Sequence, residues 1–122
     1  MYRITLKDTF SSAHSLWDAQ GKFEDLHGHD FKVEVDLERN ELDEIGVVVD
    51  FLDVKPKLKE VLKRIDHAFL NDLPEFKGKN TSVENIARFI HDELSKQLAG
   101  KGVTVKRVTV WETEDAGATY IP

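Results

Sequence analysis

Five histidines stand in a chain of 122 residues: His14, His27, His29, His67 and His91. The sharpest local pattern is Leu26-His27-Gly28-His29. Two histidines at i and i+2 on an extended segment project to the same side, and the glycine between them admits close backbone approach. Neutral imidazole nitrogens are good zinc ligands, and a catalytic zinc site uses three protein ligands and one open position. His14 follows Phe10-Ser-Ser-Ala13 at the end of a first predicted strand. If the first two strands pair as a hairpin, the end of one meets the beginning of the other, and His14 faces His27 and His29. The alternative is two loop histidines beside a glycine. Asp66 directly precedes His67. A carboxylate near a histidine can fix its tautomer and stabilise the protonated ring. The competing explanation is a histidine near the negative end of a helix dipole. His91 is expected on the solvated edge of a helix, with no role. Glu112 continues the apolar row of Val108 and Val110, where a carboxylate is costly unless paired; the alternative is a strand-end glutamate in water.

These residues need elements to position them. Residues 2–7 alternate, with Tyr2, Ile4 and Leu6 on one face. Residues 30–39 alternate more clearly: Phe31, Val33, Val35 and Leu37 oppose Lys32, Glu34, Asp36 and Glu38. Both patterns predict half-buried strands. Asn40 to Gly46 reads as a turn and 46–50 as a short buried strand. Phe51, Val54, Leu58, Val61, Leu62 and Ile65 recur at helical spacing. Pro56 belongs in a first turn, so this helix is expected to start near Asp53. A loop over 66–80 leads to a second helix from about Ser82 to Ala99, opened by the capping-box sequence Thr81-Ser-Val-Glu84. Val103, Val105, Val108 and Val110 form a long strand whose parity slips at Lys106-Arg107, which predicts a bulge. Ala116-Gly117 turns into a last strand over 118–121. Strands are not interleaved with helices, so the expected class is α+β, a mostly antiparallel sheet with helices on one face. Its edges must be covered or paired, by oligomerisation for example.

Composition narrows the function. The length suits one domain over 1–122. There is no cysteine, which removes a disulfide scaffold, a thiolate zinc site and a cysteine nucleophile. A net charge of −6 argues against nucleic acid as the main partner. No apolar run approaches the ~20 residues of a membrane span. The first residues are patterned as a strand rather than a signal peptide, and a cytoplasmic protein is expected.

Six motifs occur in order: Phe10-Ser-Ser-Ala-His14, Leu26-His-Gly-His29, Gly46-Val-Val-Val-Asp-Phe51, Ile65-Asp-His-Ala-Phe-Leu-Asn71, Ser82-Val-Glu-Asn-Ile-Ala87 and Val110-Trp-Glu-Thr113. Together they resemble the 6-pyruvoyl-tetrahydropterin synthase / 6-carboxy-tetrahydropterin synthase family over nearly the whole chain. The resemblance implies a tunnelling fold (T-fold), whose four-strand, two-helix subunits join into trimeric barrels and stack as a homohexamer with active sites between subunits. It implies zinc held by His14, His27 and His29, and 7,8-dihydroneopterin triphosphate as the substrate class. Glu112 takes the place of the family's pterin anchor, suited to accept from the pterin amino group and ring N–H. Glu114 competes for that part. Ser82 lies where the family usually has a pterin-contacting threonine, and helix capping explains it equally well.

The chain departs from the family pattern at one position. The best-known members carry a catalytic cysteine four residues before the first histidine of the His-Gly-His motif; here that residue is Phe23, followed by Glu24. This is similar to the subfamily in which a glutamate replaces the cysteine, associated with cleavage of the substrate side chain to 6-hydroxymethyl-7,8-dihydropterin. Glu24 is then the expected acid/base, on condition that burial raises its pKa. His67, oriented by Asp66, is the second proton-transfer group. The competing readings are 6-carboxy- or 6-pyruvoyl-tetrahydropterin synthesis, a non-catalytic zinc- or pterin-binding member, and a plain structural module.

Overall fold

The computed structural model describes residues 1–122. Strand β1 (Tyr2–His14) and strand β2 (His27–Arg39) pair antiparallel without a break, from Tyr2 opposite Arg39 to His14 opposite His27. Helix α1 (Phe51–Lys63), two single 3-10 turns and helix α2 (Val83–Gln97) follow. Strands β3 (Thr104–Thr113) and β4 (Ala116–Tyr120) complete an antiparallel sheet in the order β1-β2-β3-β4. The expected α+β class is found.

Alternation decides which face is covered. Leu6, Phe10, Phe31, Val33, Val35, Leu37, Val108 and Val110 are buried on one face, against Val54, Leu58 and Leu62 of α1 and Ile86, Ile90 and Leu94 of α2. The opposite face carries charge. There Asp36, only 5% exposed, accepts from Thr5 Oγ1 at 2.7 Å and pairs with Arg107. The bulge expected at Lys106-Arg107 is present: Asp36 pairs with Arg107 and Leu37 with Val105, leaving Lys106 unopposed. This shift lets Val105 and Val108 both face the core.

Four local expectations are corrected. Residues 46–50 form no strand. Val48 and Val49 are buried there, but the backbone is satisfied by side chains: Asp43 accepts from the Ile45 and Val47 N–H groups, and Arg39 donates to the Val48 carbonyl. Helix α1 starts at Phe51, earlier than Pro56 predicts, because Asp50 caps it by accepting from Leu52 N at 2.9 Å. The bond that Pro56 cannot make would have gone to the carbonyl of Leu52, a residue open to water. Helix α2 is capped by Ser82, not Thr81; the Ser82 hydroxyl accepts from Asn85 N at 3.2 Å. His91 is buried rather than solvated. Its Nε2 donates to the Val105 carbonyl at 3.0 Å, and its ring lies edge-on to Tyr120, so it ties α2 to β3 and β4.

The outer edge of β1 is partly covered by the segment after α1. His67 N donates to Ser11 O at 2.6 Å, Ala13 N to Ala68 O at 2.9 Å, and Ser11 N to the Asp66 carboxylate at 2.8 Å. The Ser11 N–H, assisted by His67, holds the Asp66 carboxyl below the usual aspartate value. A depressed pKa in the folded state stabilises the fold above the unfolded value, and this contribution is lost as pH falls through the folded one. Asp66→Asn is therefore expected to lower the urea midpoint at pH 7, with the gap to wild type closing on acidification below about pH 4. A gap of constant size across pH would refute the charge contribution. At the β3–β4 hairpin, a Cβ on Gly117 would lie 2.7 Å from Trp111 Cε3 and 2.8 Å from the Val110 carbonyl. Gly117→Ala is expected to destabilise by about 1–3 kcal/mol in urea unfolding.

Candidate metal centre

The β1–β2 register brings the histidines together. His14 and His27 are direct cross-strand partners, and His29 opposes Ser12, two positions along the same face. The His14 ring lies 4.5 Å from that of His27 and 5.6 Å from that of His29, centroid to centroid. Glu112 arrives from β3. The β3–β4 pairing shifts register between Trp111 and Thr113, leaving Glu112 without a cross-strand partner. Bulges of this kind re-aim a side chain. His14, His27, His29 and Glu112 each offer one ligand atom, all within 4.8 Å of one another.

The hydrogen bonds around these rings decide where their protons sit. A carbonyl oxygen only accepts, so His14 Nδ1, 2.7 Å from Thr81 O, carries the hydrogen. In the neutral ring, Nε2 is then a lone pair. That atom is fully buried, makes no hydrogen bond, and lies 2.8 Å from Glu112 Oε1. Likewise His27 Nε2 donates to Glu24 Oε1 at 2.8 Å, which leaves His27 Nδ1 as the acceptor. It faces His29 Nε2 at 2.5 Å, and His29 Nε2 in turn faces Glu112 at 3.7 Å. No Lys or Arg pairs with Glu112; its only ion-pair contacts are the two rings. Three imidazole nitrogens and one carboxylate oxygen converge; between His14 Nε2 and Glu112 Oε1 neither atom is a donor, and a cation resolves that pair. The donor set fits zinc. The Thr81 carbonyl fixes the His14 tautomer in the way that outer partners of metal-bound histidines do.

Glu24 is set beside this cluster by the loop between β1 and β2. Asn71 and Asn80 pair with that loop as short pieces of strand would. Asn71 accepts from Ser15 N and donates to Ser15 O; Asn80 accepts from Trp17 N and donates to Trp17 O. Ser15 Oγ donates to the Glu24 carbonyl, and Glu24 Oε1 accepts from both Leu16 N and His27. The expected rise in the Glu24 pKa is not found. Its side chain is 43% exposed, and the His27 hydrogen bond, followed by that of Leu16 N–H, holds the carboxyl below the usual glutamate value. Glu24 is therefore ionised at neutral pH and suited to accept a proton. Phe23 packs edge-on against Trp17, with ring centroids 5.7 Å apart.

Asp66 and His67 do pair despite their adjacency. His67 has a φ of 52°, a left-handed conformation that carries Nδ1 to 3.0 Å from Asp66 Oδ2. The His67 side chain is 83% exposed and makes no hydrogen bond or ion pair with the four cluster residues. It borders an open cleft with Ser12, Gly28 and His29 at the same end of the sheet. Glu114 lines a different hollow, with Lys7, Lys32 and Trp111. Sequence reasoning passed over Thr81, Asn71 and Asn80. The available signal was the amide side chain itself, since its separate oxygen and NH2 can meet a backbone N–H and C=O side by side.

The sequence model of 6-pyruvoyl tetrahydropterin synthase matches residues 3–122. An Archaeoglobus fulgidus protein provisionally named 6-carboxy-5,6,7,8-tetrahydropterin synthase is 40% identical over 115 residues, spanning 94% of this chain and 91% of that protein. A Pyrococcus furiosus protein named dihydroneopterin monophosphate aldolase is 36% identical over 115 residues, spanning 94% and 93%. Among solved structures, a Plasmodium vivax 6-pyruvoyltetrahydropterin synthase in which a catalytic glutamate is replaced by alanine superposes with a TM-score of 0.79 at 25% identity, covering 98% of this chain and 96% of that one. The four-strand antiparallel sheet with two helices is thus the T-fold, and the chain belongs to the 6-pyruvoyl tetrahydropterin synthase family.

Proposed function

We propose that this protein is a zinc-dependent lyase acting on 7,8-dihydroneopterin triphosphate, releasing 6-hydroxymethyl-7,8-dihydropterin by cleavage between C1′ and C2′ of the side chain. The observation that carries the reading is Glu24. An ionised carboxylate stands 2.8 Å from His27 Nε2, in a chain whose preceding residue is Phe23 and which has no thiol. His14, His27 and His29 would hold zinc, which supplies a Lewis acid that acidifies a bound hydroxyl.

The residues then divide the work. Glu24 accepts the C2′ hydroxyl proton. The C1′–C2′ electron pair passes into the C6=N5 bond of the dihydropterin, and C2′ departs as the aldehyde of glycolaldehyde triphosphate. His67, oriented by Asp66, returns a proton to C1′. Glu112 accepts from the pterin amino group and ring N–H, and Ser82, whose cap bond uses only its lone pair, keeps a hydroxyl hydrogen for the substrate. The exposure of His67 and the open strand edges of β1 and β4 suit a homohexamer of T-fold units, 1–122 each, with sites closed between subunits. No helix is long and apolar enough to cross a membrane; a cytoplasmic enzyme with a small-molecule partner completes the proposal.

Two comparisons support it. The Pyrococcus relative is named for an aldolase cleavage of a dihydroneopterin phosphate, and the Plasmodium neighbour has a glutamate as a catalytic residue. The name of the Archaeoglobus relative favours 6-carboxytetrahydropterin formation as the second reading. Product analysis by HPLC separates them. The zinc-loaded protein, given 7,8-dihydroneopterin triphosphate or monophosphate, is expected to yield 6-hydroxymethyl-7,8-dihydropterin, and Glu24→Gln to lower kcat about 10²-fold or more. A 6-carboxy or 6-pyruvoyl product, or full activity in Glu24→Gln, would overturn the proposal.

A further inference from the structure

The anchor role proposed for Glu112 leaves one contact without a purpose. A residue that served only to bind a pterin ring would be expected to hold its carboxylate open towards the substrate. Instead Glu112 Oε1 is turned onto the metal-binding rings, 2.8 Å from the buried Nε2 of His14 and 3.7 Å from Nε2 of His29. No cationic side chain draws it there. With the His14 hydrogen committed to Thr81, the Glu112 oxygen and His14 Nε2 oppose each other as two acceptors, and such a pair repels unless a proton or a metal lies between them. The backbone favours the same placement. The bulge at Glu112 is pinned by Trp111 lying over Gly117 so closely that a Cβ there would be in collision.

We propose that Glu112 is the fourth metal ligand of the substrate-free enzyme, and that pterin binding releases it. The inference rests on the metal and pterin assignments proposed above and adds a coupling between them. The two-point bond to the pterin amino group and ring N–H takes up both Glu112 oxygens, so Oε1 must turn away from the metal when the pterin binds. When the amino group and ring N–H of the pterin capture Glu112, a coordination position opens at the metal, where the substrate side chain can enter. Without substrate the position is closed to water and to stray ligands. Linkage requires the effect to be reciprocal: the metal weakens binding of the bare pterin ring, and the ring weakens retention of the metal.

Cobalt(II) binding tests this without any turnover, through its visible spectrum and through competition with a chelator. Glu112→Gln is nearly isosteric and keeps a pterin-facing amide. It is expected to bind cobalt at least about 10-fold more weakly than wild type and with an altered spectrum. Adding 6-methylpterin, which has no side-chain hydroxyls to reach the metal, is expected to change the wild-type spectrum and lower cobalt affinity, and to do neither in Glu112→Gln. If His14→Ala loses cobalt but Glu112→Gln retains wild-type affinity and spectrum, the inference is overturned and the three-histidine site stands. If neither substitution alters cobalt binding, the metal site itself is wrong and the inference falls with it. Unchanged urea midpoints in the apo proteins separate both results from misfolding.

Discussion

The site depends on the register of one hairpin. Side chains on a strand alternate with a period of two, so a slip of one residue between β1 and β2 would turn His14 away from His27 and His29. The slip is prevented far from the site. Leu6, Phe10, Phe31, Val33, Val35 and Leu37 occupy the same face as the three histidines and are buried under the helices. Moving the register by one would send that row to the charged face and leave Asp36, now paired with Thr5 and Arg107, in the core. The apolar row and the polar row thus enforce the same alignment, and the histidines are its last members.

A second constraint holds the loop that carries Glu24. Residues 15–26 include no regular element beyond the Trp17–Phe23 bridge, and such a segment must find partners for its backbone groups. Asn71 and Asn80 supply them from the region between the helices. Thr81, next in line, is fully buried, gives its carbonyl to His14, and donates its hydroxyl to Asn71. One stretch of chain therefore orients the His14 ring of the candidate metal centre and fixes the path of the loop that carries the Glu24 carboxylate. The segment 66–69 does similar service on the other side, pairing with β1 while it displays His67.

Charge is arranged to suit the proposed chemistry. Glu24 is kept ionised by donors from His27 and Leu16, and Asp66 by the Ser11 N–H. The two carboxylates thus differ in task and not in protonation: in the proposed reaction one accepts a proton from the substrate, while the other holds a histidine. The condition placed on Glu24 from the sequence, that burial would raise its pKa, assumed an apolar pocket. The loop instead leaves it partly in water against a donor, and its hydrogen bonds outweigh desolvation.

The sequence by itself determined the periodic features. Alternation along β2, the helical recurrence of Val54, Leu58, Val61 and Leu62, the bulge at Lys106 and the pairing of His14 with the His-Gly-His motif all follow from spacing, because burial imposes the period of each element on its residues. Local, non-periodic choices were not legible. The valines over 46–50 have strand composition but form no strand, since their backbone is satisfied by Asp43 and Arg39. His91 sits beside a buried position on a helical wheel, yet the Val105 carbonyl at the bulge gives it a partner inside. Glu112 has the parity of an inward residue, but that it meets His14 and His29 there depends on the strand order β1-β2-β3. Each of these depends on a contact between groups far apart in the chain, and only the tertiary structure decides which distant donor meets which acceptor.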